Sequence, residues 1–100
     1  MDNTALALIS AERRRQVEQE GWSEQHDDAH VHDELAWAAV SYALPAVPDG
    51  PSRRVFWPWS SRWWKPTPQD RIRELVKAGA LLIAEIERLQ RTEARKVTDG

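Results

Sequence analysis

The stretch TPQDRIRELVKAGALLIAEIERLQR, Thr67–Arg91, carries the clearest structural signal in the chain. Its apolar residues recur every three or four positions, which is typical of an amphipathic α-helix. Thr67 is placed to cap this helix, and Pro68 suits the first helical position because that position needs no N–H donor. The pattern predicts a helix over Pro68–Arg91 that is buried on two sides. Its apolar residues are Ile72, Leu75, Val76, Gly79, Ile83 and Ile86, broadened by Ala80, Leu81 and Ala84.

Two shorter helices are predicted upstream of this one. The first covers about Thr4–Glu20, and Gly21 is a suitable residue to end it. Because this helix is mostly polar, we expect it at a surface or at a subunit contact. The second covers about Asp33–Leu44, where Pro45 stops it.

A long connection joins the second helix to the last one. Residues 45–68 contain all six prolines and four of the six tryptophans of the chain. No segment shows the alternation of apolar and polar residues that indicates a strand. The sequence therefore predicts an all-α fold, a small bundle of three principal helices with a long Pro/Trp-rich loop before the last helix. One domain is expected over residues 1–91, followed by a polar tail over residues 92–100.

Composition narrows the class of function. The formal net charge is −2, which disfavours general nucleic-acid binding. The absence of cysteine excludes disulfides and cysteine-based zinc sites, and it fits a cytoplasmic location. No apolar run reaches the roughly 18 residues of a membrane span, and the N-terminal pattern does not indicate a secretory signal. Because so short a chain buries little apolar surface, we expect a homo-oligomer.

The segment WPWSSRWWKP, Trp57–Pro66, is the first candidate site. A base stacked on an aromatic side chain gains roughly 1–3 kcal/mol, and the start of the next helix offers N–H groups to a phosphate. This combination predicts a site for a nucleotide-like ligand. We also expect at least two of the four indoles to pack in the hydrophobic core. No catalytic residues are predicted, since no nucleophile–base spacing or glycine-rich loop stands out. The predicted ligand-binding residues are Trp63, Trp64, Lys65, Arg71, Arg73 and Lys77.

The segment EQHDDAHVHDE, Glu24–Glu34, is the second candidate site. Imidazoles and carboxylates are ligands for zinc, manganese or iron, and His26 and His30 would share one face of a helix. The other interpretation is that these aspartates cap and turn the chain before the next helix. A divalent metal is therefore a possible cofactor under the first interpretation, and none is expected under the second. The predicted metal ligands are Glu12, Glu20, His26, Asp27, Asp28 and His30.

The run ERRRQ, Glu12–Gln16, places three arginines in sequence on the first helix. Consecutive helical residues point in different directions, so these arginines do not form one patch. We interpret the run as a solvated face with pairs such as Arg14 and Glu18. In an oligomer, the arginines would instead line a shared pocket.

Three segments together resemble a family of small helical proteins of tailed phages and prophages. They are AERRRQVEQEGWSEQHDDAHVHDELAWAAVSYAL, WPWSSRWWKP and LVKAGALLIAEIERLQR, and the resemblance extends over about Ile9–Arg91. It implies a viral origin and a location in the host-cell cytoplasm. VEQEGWSEQHDD also resembles part of the ryanodine-receptor-type repeat domains, which are linked to nucleotide ligands. The small helical chain is similar to the MazG-like all-α pyrophosphohydrolases, although Glu12, Glu18 and Glu20 depart from the spacing of their magnesium motif.

These observations give one leading hypothesis and two alternatives. The leading hypothesis is a non-enzymatic phage accessory protein that binds a nucleotide-like ligand and sequesters a host immune signalling nucleotide, as an anti-defence sponge does. The first alternative is a metal-dependent nucleotide pyrophosphohydrolase, in which a metal-bound water attacks a phosphate. The second is a protein–protein inhibitor that blocks a host enzyme through its tryptophan surface.

Overall fold

The computed structural model describes the backbone of residues 4–99. Within this range the chain is helical and contains no strand, which confirms the predicted all-α class. Four α-helices are present, three of them longer than one or two turns, together with two short 3₁₀ turns. The helices are α1 (Ala5–Gln19), α2 (Glu24–Asp28), α3 (Glu34–Ala43) and α4 (Arg71–Asp99), and the 3₁₀ turns cover Arg53–Phe56 and Ser61–Trp63.

Local capping signals set the bounds of α1 and α2. The Thr4 hydroxyl accepts a hydrogen bond from the N–H of Ala7 at 3.2 Å, and Gly21 follows α1 with a φ of 73°. The α2 segment lies outside the three helices that the sequence predicts. It forms a short helix because the Ser23 hydroxyl accepts from the N–H of His26 at 3.3 Å and so caps the first turn.

Both ends of α4 differ from the prediction. The helix begins at Arg71 because residues 67–70 form a separate turn, and the Asp70 carboxylate accepts from the N–H of Arg73 at 3.1 Å. At the other end, residues 92–99 continue the helix beyond the predicted end at Arg91. Arg91 and Arg95 both reach the carboxylate of Asp28 at 2.8 Å and tie this end of α4 to α2. Gly100 lies outside the described residues.

The core lies between α3 and α4. Its alanines let the two helices approach closely, and α1 packs elsewhere on α4, where Ile9 covers Gly79. A Cβ atom at Gly79 would come within 2.9 Å of Ile9 Cδ1, so a larger residue there would require the Ile9 side chain to shift. The core residues are Leu35, Ala38, Ala39, Tyr42, Trp57, Ala78, Leu81 and Ala84, with Trp22, Trp59 and Trp64 packed against them.

One face of α4 is not covered by the rest of the chain, although α1 and α3 both pack on the helix, and it includes Ile72, Leu75 and Ile86 of the predicted apolar stripe. Five aliphatic side chains on this face are 46–68% exposed. They follow one another at intervals of three, four or seven residues and therefore share one side of the helix. This α4 strip consists of Ile72, Leu75, Leu82, Ile86 and Leu89.

A buried ion pair fixes the long loop onto the helices. The guanidinium of Arg53 is bonded to both carboxylate oxygens of Glu74, and it also donates to the carbonyl of Leu44 at 2.7 Å. Glu74 accepts a further bond from the N–H of Thr67 at 2.9 Å. Both ends of the Pro/Trp-rich loop are thus held at the start of α4.

Candidate ligand-binding site

A cleft of about 470 Å³ opens between α1, the α2 segment and the Trp-rich loop. This volume lies within the range of sites that hold small organic ligands. Every α-helix contributes at least one side chain to it. The lining residues are Glu12, Arg15, Gln16, Glu20, Trp22, His26, His30, Tyr42, Trp59, Ser60, Trp63, Lys65 and Lys77.

Aromatic rings form one wall of the cleft, with Trp59 at their centre. The Trp59 ring centroid lies 5.9 Å from that of Trp22 and 5.0 Å from that of His30. Tilted ring contacts at these distances are favourable and hold the indole in place. Trp63 is 49% exposed, and the guanidinium of Arg62 lies 4.9 Å from its ring centroid. The cleft therefore offers a flat, accessible indole beside a fixed one.

Two buried polar atoms of the lining residues, Gln16 Oε1 and Trp59 Nε1, have no hydrogen-bond partner among the residues that the structure describes. The orientation of the Gln16 amide is set by its Nε2, which donates to the carboxylate of Glu12 at 3.2 Å. An unpaired buried donor or acceptor costs about 1–3 kcal/mol. Both atoms belong to residues of the cleft lining and are covered by the surrounding protein atoms.

A buried carboxylate organises the charges of the site. Glu12 accepts two hydrogen bonds from Arg15, at 2.8 and 3.0 Å, and one from Arg73 at 2.5 Å. Burial by itself raises the pKa of Glu12, but the hydrogen bonds from Arg15 and Arg73 outweigh it and hold the pKa below its usual value. The hydrogen bond to Glu12, helped by one to Glu20 at 3.0 Å, raises the pKa of Arg15. Both groups are therefore charged at neutral pH.

Two lysines add positive charge at different depths. The Nζ of Lys77 is buried, donates to the carbonyl of Lys65 at 2.7 Å and lies 5.5 Å from the Tyr42 ring centroid. Burial, followed by the charge of Arg73, lowers the pKa of Lys77. The Lys65 side chain is exposed at the rim, and its backbone N–H donates to the Tyr42 hydroxyl at 3.0 Å.

The predicted ligand-binding residues separate into two groups. Trp63, Lys65 and Lys77 line the cleft, and Arg73 lies close to it through its bond to Glu12.

Trp64 and Arg71 do not line the cleft, which corrects the prediction for both. The Trp64 Nε1 donates to the Ser41 hydroxyl at 3.2 Å, and its ring packs on Tyr42. Arg71 donates to the carbonyl of Tyr42 at 2.9 Å and to that of Ala43, so it caps the C-terminus of α3.

The predicted six-residue metal site is not formed. Asp27 is fully buried and accepts a hydrogen bond from Arg13 at 2.6 Å, while Asp28 binds two arginines of α4. Across residues 4–99, no group of three histidine, aspartate or glutamate side chains is arranged to hold a metal ion. The other four predicted ligands, Glu12, Glu20, His26 and His30, do line the cleft.

Sequence reasoning missed several lining residues. Glu12, Arg15 and Gln16 lie at spacings of three and four on α1, which places them on one face, and this signal identifies them better than the arginine run does. The Tyr42 ring lies in the core, but its hydroxyl accepts a hydrogen bond from the backbone N–H of Lys65 at the cleft. The missed residues are Arg15, Gln16, Trp22, Tyr42, Trp59 and Ser60.

The described residues thus form an all-α domain with an aromatic, mixed-charge cleft. No helix among them is both long and apolar enough to cross a membrane. Comparison of the chain with protein-family models, with curated proteins and with solved structures finds no match. Any assignment of function therefore starts from the geometry of the cleft.

Proposed function

We propose that this protein is a non-enzymatic binding protein whose cleft captures a nucleotide-like ligand. The observation that carries this proposal is that a half-exposed indole, Trp63, and two lysines, Lys65 and Lys77, line the same cleft. A purine-like ring has the flat face that stacks on an indole.

The positive charges of the cleft favour a ligand that also carries an anionic group. Arg15, Lys65 and Lys77 outnumber the two lining carboxylates, and Arg73 adds a further positive charge behind Glu12. Glu12 holds Arg15 through two hydrogen bonds, whereas Lys65 approaches only Glu20, at 3.7 Å, and Lys77 has one bond, to the Lys65 carbonyl. Because an ammonium group has three donors, the two lysines keep the capacity to bind a phosphate. In the proposed complex, the ring stacks on Trp63 while Lys65 and Lys77 bind the phosphate.

The biological role that fits this chemistry is sequestration. A protein that binds a signalling nucleotide without converting it lowers the free concentration of the signal. The resemblance to small proteins of tailed phages supports a role as an anti-defence sponge in the host-cell cytoplasm, acting on a host immune signalling nucleotide. The structure presents indoles and cations in one cleft, as such a role requires.

We also propose that the protein is a homo-oligomer and that the α4 strip is its subunit contact. The strip extends over residues 72–89, about 26 Å at 1.5 Å per residue. Its spacing of three and four is the pattern by which two helices pack along a shared seam. A second copy presents the same apolar surface, so the contact is self-complementary about a two-fold axis.

A protein–protein inhibitor is the second candidate, because a separate aromatic surface is exposed. Trp37 is 48% exposed and stacks on Phe56 with ring centroids 5.7 Å apart, beside Val55, which is 74% exposed. Exposed tryptophans are frequent at the centres of protein interfaces. This surface lies outside the cleft, so the two candidate functions are separable by mutation.

Mass spectrometry of the molecule retained from a lysate tests the proposal. The purified protein is incubated with lysate of phage-infected cells, washed and denatured, and the released small molecules are identified. Recovery of an unmodified nucleotide is expected. Recovery of a cleaved nucleotide would instead indicate a pyrophosphohydrolase, and recovery of no small molecule would favour an inhibitor.

A further inference from the structure

Two histidines in the cleft direct the same ring atom at each other. The Nε2 atoms of His26 and His30 are 3.4 Å apart. The Nδ1 of His26 lies 3.1 Å from a carboxylate oxygen of Asp27, and the Nδ1 of His30 lies 3.1 Å from one of Glu34. Each imidazole thus has a carboxylate at one nitrogen and the other imidazole at the second.

The carboxylates determine which nitrogen carries the proton. The carboxylate of Asp27 accepts a hydrogen bond from Arg13 at 2.6 Å, and that of Glu34 accepts one from the backbone N–H of His32 at 2.5 Å. Because a carboxylate oxygen that accepts such bonds is an acceptor for the imidazole as well, the Nδ1 of each histidine is the donor. In the neutral rings, both Nε2 atoms then present lone pairs to each other.

Facing lone pairs at this distance repel each other, and a positive ion between them removes the repulsion. A shared proton gives an N–H···N contact of 3.4 Å, which is longer than the usual 2.7–3.2 Å of a strong N–H hydrogen bond. A metal ion bonded to both nitrogens at about 2.1 Å subtends an angle of about 108° at that separation, which is the tetrahedral value. The spacing therefore suits a metal ion better than a proton.

We propose that His26 and His30 together bind a divalent transition-metal ion of the class that prefers imidazole, such as Zn²⁺, Ni²⁺ or Cu²⁺. Magnesium and calcium prefer oxygen ligands and are not expected there. The carboxylates of Asp27 and Glu34 are placed as the outer partners that orient metal-binding imidazoles. Water from the cleft completes the coordination.

Contacts with neighbouring aromatic rings hold the imidazoles of His26 and His30 in position to bind the metal ion. The His26 ring stacks on Trp22 with centroids 5.8 Å apart and an interplanar angle of 6°. His30 meets His26 edge to face at 4.6 Å and lies 5.0 Å from Trp59. A metal ion bound here would therefore alter the fluorescence of Trp22 and Trp59.

Calorimetric titration with Zn²⁺, and fluorescence titration with Cu²⁺, test the site in the full-length protein at about pH 8, where imidazoles are deprotonated. One ion per chain is expected. His26→Gln and His30→Gln should each abolish binding, and Glu34→Gln should weaken it roughly 10- to 100-fold. His32→Gln is the matched control, because His32 is exposed in the same segment and contacts Glu34 through its backbone N–H. It should bind as the wild type does.

The absence of binding to the wild-type protein would overturn the proposal, as would binding retained in both His26→Gln and His30→Gln. Equal loss in His32→Gln would also overturn it, because the site would then lie elsewhere. Circular dichroism of each metal-free variant shows whether the fold is kept. Nucleotide binding measured with a chelator present reports on the cleft separately, so failure of the metal site and failure of the proposed function are distinguishable.

Discussion

Arg15 and Glu12 are joined by two hydrogen bonds, from Nε to Oε1 at 2.8 Å and from Nη2 to Oε2 at 3.0 Å. Charge-assisted bidentate pairs of this kind fix both side chains in position. In this cleft the pair leaves Arg15 with few free donors and Glu12 with few free acceptors for a ligand. Recognition of an anion therefore falls to the lysines, and recognition of a ring falls to the indoles.

Replacement of Trp63 by alanine should weaken ligand binding. Loss of one stacking partner costs roughly 1–3 kcal/mol, or about 5- to 150-fold in the dissociation constant. Trp37→Ala is the matched control, because Trp37 is 48% and Trp63 is 49% exposed while only Trp63 lines the cleft. Isothermal titration with the recovered nucleotide compares the two variants. Equal affinities would show that the ligand does not stack on Trp63.

Replacement of Lys77 by methionine should weaken binding of the same nucleotide by a factor that changes little with salt concentration. Lys77 is buried at the cleft, where its charge is poorly screened by salt ions. Lys96→Met removes an exposed lysine near the end of α4 and serves as the control. Dissociation constants at several NaCl concentrations give the measurement. A variant with the wild-type affinity would exclude Lys77 from phosphate binding.

Adjacent tryptophans show how far the sequence could predict this site. Trp63 lies at the cleft and Trp64 packs on the core, although they are neighbours in the same aromatic run. The 3₁₀ turn at Ser61–Trp63 turns the two rings in different directions. No periodic pattern in the sequence indicates such a turn, so the sequence predicted the aromatic site but not which indole serves it.

Helix ends that are set by neighbouring residues were easier to predict than ends that depend on distant contacts. The bounds of α1 and the end of α3 follow from the sequence, because Thr4, Gly21 and Pro45 act on the chain next to them. The helical tail depends on Arg95, which binds Asp28 across 67 positions, and no local pattern reports such a contact. The same limit applies to Arg71, whose carbonyl partners on α3 lie far away in the sequence.

Replacement of Glu74 by glutamine should destabilise the fold strongly. Glu74 is fully buried and is the carboxylate partner of the buried Arg53. Removing one partner of a buried ion pair costs about 3–5 kcal/mol, since the other charge stays buried. Urea unfolding at neutral pH measures the effect, and Glu18→Gln, at an exposed position on α1, is the control. A loss no larger than that of the control would show that the pair does not hold the loop.

Acid should destabilise the wild-type protein through Glu12 and Glu74. Burial opposes ionisation of each, but their arginine partners outweigh it and hold both pKa values below the ordinary 4.5. The unfolded chain therefore takes up protons at higher pH than the folded chain does. The resulting stabilisation is complete above pH 4.5 and is lost as the pH falls through the lower folded-state values. Urea midpoints between about pH 7 and about pH 3 should fall in the wild type and fall less in Glu74→Gln. Parallel curves for the two proteins would contradict this assignment.

Replacement of Leu82 and Ile86 by glutamate should convert an oligomer into a monomer. Both side chains lie on the α4 strip and are 47% and 54% exposed, so the single chain tolerates charge there. In a pair of helices packed along this strip, the same charges would be buried and would repel each other. Leu6→Glu is the control, because Leu6 is 82% exposed on α1 and lies outside the strip. Sedimentation equilibrium at several protein concentrations measures the mass, with circular dichroism to verify the fold. A wild-type protein that stays monomeric at the highest concentration would exclude the α4 strip as a subunit contact, and a control variant that also dissociates would place the contact on α1.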